Sequence, residues 1–137
     1  MYDYSEVTGE VLNERNALAA RALRELELAG FTAFLQDGAG GPPGAEVEVD
    51  LGDDAAGGVY VTWKTHPTLT RTALEKVQSG QLQAREIRHS GAVGRYMQDA
   101  MIHILASAGL QAEAAEDDMR PTAVRVREVA DEDQGAS

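Results

Sequence analysis

Three histidines, His66, His89 and His103, are the residues of this 137-residue chain best suited to acid–base or metal chemistry. None has a second histidine at metal-ligand spacing, such as four residues along a helix, and the chain contains no cysteine. His103 follows Asp99 by four positions, with Tyr96 and Ser107 on the same helical side. A carboxylate there could orient the imidazole as a general base. The same spacing also describes an ordinary surface pair on a helix, and both readings stand. His66 and His89 flank a basic island: residues 64–95 carry six bases (Lys64, Arg71, Lys76, Arg85, Arg88, Arg95) against Glu75 and Glu86. His66, Arg85, Arg88, His89 and Arg95 are therefore the candidates for an anion site, in a small-molecule binder or an enzyme. The alternative is that these charges pair with the chain's own acids and that His66 caps a helix. The acid pairs Asp53-Asp54 and Asp117-Asp118 do not follow a calcium-loop pattern. Gly-x-Ser-x-Gly is absent, and the glycines of 38–44 are not followed by Gly-Lys-Ser/Thr. Neither a cofactor nor a metal is expected, and a non-catalytic role follows.

The elements that must hold these residues are organised around 45–64. In Glu46-Val47-Glu48-Val49-Asp50-Leu51 apolar and acidic side chains alternate, and Val59-Tyr60-Val61-Thr62-Trp63-Lys64 repeats the pattern. Residues i and i+2 share a face of a strand, so the valines, Leu51 and Trp63 point inward while Glu46, Glu48, Asp50, Tyr60 and Thr62 point outward. A hairpin with one buried and one wet face is the reading. Before it, Val11, Leu12, Leu18, Ala22, Leu23 and Leu26 recur at helical spacing, which predicts a helix over about 8–29 stopped by Gly30. Phe31 to Gln36 reads as a strand with Phe31, Ala33 and Leu35 inward and Phe34 outward. After the hairpin, Pro67 suits the first position of a helix over 67–79, capped at Thr65 or His66 and ended by Gly80. Gln81 to His89 is open between loop and a further helical turn. Ser90 is the expected cap of a third helix, which Gly109 ends. Leu110–Glu116 and Thr122–Arg127 read as strands around an acidic turn, with Val124 and Val126 inward and Arg125 and Arg127 outward. Leu26-Glu27-Leu28-Ala29-Gly30-Phe31 and Leu105-Ala106-Ser107-Ala108-Gly109-Leu110 echo one another. The echo reads as a duplication or as two ordinary helix-to-strand junctions.

Length predicts one domain over 1–129, burying roughly two thirds of its unfolded surface, followed by an acidic disordered tail over 130–137. The net charge of −11 opposes binding to nucleic acid or anionic lipid. No stretch reaches the eighteen or so apolar residues of a spanning helix, and the first residues lack a signal-peptide pattern. A cytoplasmic protein, with neither membrane nor nucleic acid as partner, is the expectation. Only two of the twelve basic residues are lysine, the usage of a GC-rich bacterial genome.

The expected fold is α+β: an antiparallel sheet of about five strands packed on one side by two or three helices, in the order α-β-β-β-α-α-β-β. Over about 8–128, this element order and the acidity resemble the type III secretion chaperone-like superfamily. The resemblance implies a homodimer that binds a partner polypeptide. On the outer sheet face, Phe34, Tyr60, Glu48, Arg125 and Arg127 combine aromatic and charged groups. They are the expected partner-binding residues of a chaperone-like protein-interaction module, acting through the sheet face or the first helix.

Overall fold

A computed structural model describes residues 4–37, 41–50, 58–116 and 120–128, with side chains from Gly9 onward. The expectations for the 130–137 tail, Leu51, the Asp53-Asp54 pair and the Asp117-Asp118 pair lie outside the described residues. The elements run α1 (Tyr4–Leu28), β1 (Ala33–Leu35), β2 (Gly44–Asp50), β3 (Gly58–Lys64), α2 (Pro67–Gln78), α3 (Arg85–Ser107), β4 (Leu110–Ala114) and β5 (Val124–Glu128). The class and the order are those expected: three helices and a five-stranded sheet, α+β overall.

Each helix stops on a glycine, for one physical reason. Closing the last turn requires a residue with positive φ, which costs glycine least. Gly30, Gly80 and Gly109 have φ of 107, 79 and 95°. At the end of α1, Gly30 N–H donates to Glu27 O at 2.9 Å and Phe31 N–H to Leu26 O at 3.0 Å, the two bonds of a Schellman motif. His66 caps α2: its Nδ1 accepts from Thr68 N–H at 3.1 Å, and Pro67 takes the first helical position. The third helix departs from expectation. It begins at Arg85, five residues before Ser90, and Ala84 at its N-cap provides no side-chain bond. The open segment 81–89 is thus a turn followed by the first turn of α3.

The sheet order is β1-β2-β3-β5-β4. Its hairpin is as expected, with Val47 opposite Val61 and Val49 opposite Val59. It is not wholly antiparallel, because β1 runs parallel to β2, with Ala33 opposite Ala45 and Leu35 opposite Val47. Parallel neighbours ordinarily need a long crossover. Here β1 is only three residues long, and eight residues separate its end from the start of β2. Gly44 makes the arrival possible. Its φ is 137°, and a Cβ there would collide with the Thr32 carbonyl oxygen. Immediately after it, Ala45 N–H donates to that same oxygen at 2.8 Å.

The core lies between the sheet and the α1–α3 pair. Leu26, Val47, Val59, Val61, Met101, Leu105 and Val124 are wholly buried, joined by Ala19, Ala22 and Ala45. Trp63 closes one end of this core, its ring edge-on to Phe31 at 5.9 Å and 66°. Small alanines on α1 let that helix approach the strands closely. Arg21 Nη2 ties α1 to the end of α3 by donating to Ala108 O at 2.9 Å. The second helix packs on α3 rather than on the sheet and buries no residue fully.

Candidate functional site

The outer sheet face is organised differently from the sequence expectation. Glu48 and Tyr60 stand opposite each other on β2 and β3, and Arg125 stands opposite Tyr60 on β5. Tyr60 is only 5% exposed, because described residues between β4 and β5 lie against it. Ala115 and Ala123 pack beside it as a small second core. Arg120 lies above it, with the guanidinium carbon 4.5 Å from the ring centroid. From there Arg120 Nη2 donates to Glu48 Oε2 at 3.1 Å and to Asp50 Oδ2 at 3.2 Å. Tyr60 and Glu48 are thus covered and engaged by the chain itself, which corrects the expectation of an open aromatic face. Phe34 is half-buried as well, lying against Gly41 of its own connection.

On this face the acids of β2 and the bases of β5 are not neighbours. The third strand separates the acids of β2 from β5, so Arg125 and Arg127 face β4 instead. Arg125 is opposite Glu113, and Arg127 Nη2 is 3.9 Å from Glu113 Oε2. Arg120 was missed by sequence reasoning. Its one signal was a lone base within the acidic turn Asp117-Asp118-Met119-Arg120-Pro121.

The anion-site candidates do not converge as a set. His66 starts α2, whereas Arg85, Arg88 and His89 follow its far end; twelve residues of helix rise about 18 Å. Arg85, Arg88, His89 and Arg95 are all exposed on α3, and Arg88 Nη1 donates to Gln83 O at 2.6 Å. His103 Nδ1 donates to the Asp99 carbonyl at 2.8 Å, with the Asp99 carboxylate at 3.6 Å. Both side chains are more than 70% exposed, so the pair is the surface pair of the two readings. Among the described residues, no three histidine, aspartate or glutamate side chains converge in a geometry that could hold a metal ion.

A groove lies on the other face of the sheet, where β1 ends. It has a volume of about 370 Å³ and runs between α1 (Ala19, Ala20, Leu23) and the strands (Leu35, Val47, Val49). Its lining is mainly apolar, and Leu35 is 53% exposed at its mouth. Beside it, part of the β2 edge lies beyond the β1 pairing. Ala45 N–H bonds to Thr32 O, and Gln36 N–H donates to Val47 O at 2.8 Å. The odd-numbered residues of β2 therefore turn their polar groups toward β1, and the even-numbered ones toward β3. Past Leu35, Val49 presents its N–H and C=O on that edge with no backbone partner among the described residues.

Comparison of the chain with protein-family models, with curated proteins and with solved structures finds no match. No helix among the described residues is long and apolar enough to cross a membrane.

Proposed function

We propose that this chain is a non-catalytic protein-interaction module. It takes up an extended segment of a partner polypeptide, in a chaperone-like manner, between α1 and the β2 edge. The observation that carries the reading is the N–H and C=O of Val49, without a backbone partner among the described residues, beside an apolar groove. A strand edge offers main-chain bonds to any extended chain, and an adjoining pocket selects alternate side chains. The β1 pairing ends at Leu35, and the exposed Leu35 extends the apolar surface at the groove's mouth. The likeness in element order to polypeptide-binding chaperones adds weight.

The test is selection of peptides from a random display library on the full chain, followed by amide NMR. Bound peptides are expected to shift the signals of 47–50. Ala20→Arg, which puts a large charge at an exposed wall of the groove, is expected to abolish recovery. Such a surface change should alter stability by less than about 0.5 kcal/mol. Equal recovery by the Ala20→Arg variant would remove the groove from consideration.

A further inference from the structure

The outer face of the sheet carries a second feature, whose test is independent of the groove. Glu48 and Asp50 project from β2 two residues apart, and Tyr60 provides an aromatic floor on β3. We propose that these three side chains form an arginine-recognition site. Arg120 fills it in cis, and an arginine of a partner polypeptide displaces Arg120.

The site has the features that suit a guanidinium. A planar cation stacks on an aromatic face and donates from its edge to carboxylates, which an ammonium cannot do at once. Arg120 uses the ring at 4.5 Å and both carboxylates at 3.1 and 3.2 Å. The charge balance favours a cationic visitor: the chain carries −11 overall, and β2 shows only acids on this face.

The occupant can leave without unpairing a strand of the sheet. It comes from the β4–β5 connection and not from a strand, and Ala123 N–H donates to its carbonyl at 3.1 Å. The side chains of Arg120, Glu48 and Asp50 are 26, 22 and 30% exposed. The pairs are part-buried, so an incoming arginine must match both carboxylates and the ring to displace Arg120. Withdrawal of Arg120 would leave two carboxylates and a ring arranged for the same group supplied from outside. A tethered ligand acts at millimolar effective concentration or above, so a single free arginine competes poorly. One guanidinium reaches both carboxylates, so the fitting partner needs one arginine seated here, and an extended segment with several raises its local concentration.

The experiment titrates a labelled peptide of alternating Arg and Ser, and its Lys counterpart, against the full chain by fluorescence anisotropy. If the site is filled in cis about nine-tenths of the time, Arg120→Ala should bind the Arg peptide about tenfold more tightly than the unaltered chain. Arg71→Ala, an equal charge change on the exposed face of α2, should not. Adding Glu48→Gln and Asp50→Asn to Arg120→Ala should abolish the gain, and the Lys peptide should gain far less. A gain shared by Arg71→Ala, or one that survives loss of both carboxylates, overturns the proposal. Should Arg120→Ala fail to fold, the unaltered chain decides. Saturating Arg peptide is expected to move the Tyr60 ring signals in NMR while the Lys peptide leaves them, and unmoved signals refute the site.

Discussion

Gly44→Ala isolates the step that lets β2 begin beside β1. Two costs fall on this position. A Cβ residue at φ 137° is outside the allowed backbone regions, a strain of about 1–2 kcal/mol. The new methyl would also collide with the Thr32 carbonyl oxygen, which is backbone and cannot rotate away. Relief requires the two segments to separate, which lengthens or breaks the Ala45–Thr32 hydrogen bond of 2.8 Å, worth about 1 kcal/mol. The sum is about 2–3 kcal/mol, at roughly 3–5 °C of Tm per kcal/mol for a chain of this size. Gly30→Ala is the internal reference. Its φ of 107° is also positive, yet nothing lies within 4 Å of the added carbon. It should therefore incur only the conformational part, about 1–2 kcal/mol. Urea unfolding of the two variants at equal m-value measures the difference. Gly44→Ala no more destabilising than Gly30→Ala would refute the close-approach argument and, with it, the account of how β2 begins beside Thr32.

Two further outcomes follow from burial and capping. Leu105→Ala empties a fully buried position between α3 and the sheet and should cost about 2–5 kcal/mol by urea unfolding; under 1 kcal/mol would mean the helix is not seated as described. His66→Ala removes the side-chain cap at the N-terminus of α2 and should cost about 0.5–1 kcal/mol in thermal unfolding. His66→Asn, which can accept the same bond, should recover most of that loss, and equal loss in both variants would count against a capping role.

The hairpin was legible because alternation is a local property. Val47, Val59 and Val61 fall on the buried side as their spacing requires. The helix stops were legible because glycine marks the positive-φ positions. The start of α3 was not, since Ala84 carries no capping group and Ser90 offered a false one. Strand direction and order were not legible either. The parallel pairing of β1 depends on where a flexible connection returns, and the insertion of β3 between β2 and β5 depends on the whole chain path. Alternation also says which way Tyr60 points, but not what lies over it. The Arg120 contacts join residues 60–72 positions apart, beyond the reach of any local pattern. The groove escaped for a related reason, being defined by where a strand ends and not by any residue type.

The position of β5 has a consequence for how the molecule assembles. The strand formed last in chain order is an interior strand of the sheet, holding β3 on one side and β4 on the other. During synthesis, the first half can pair β1, β2 and β3 while its exposed flank waits for residues some sixty positions later. That flank is a template for any passing strand until Val124 and Val126 arrive. A nascent chain halted anywhere before 124 therefore presents a raw seam down the middle of its sheet. Ribosome-stalled intermediates of this protein should aggregate more readily than the finished one.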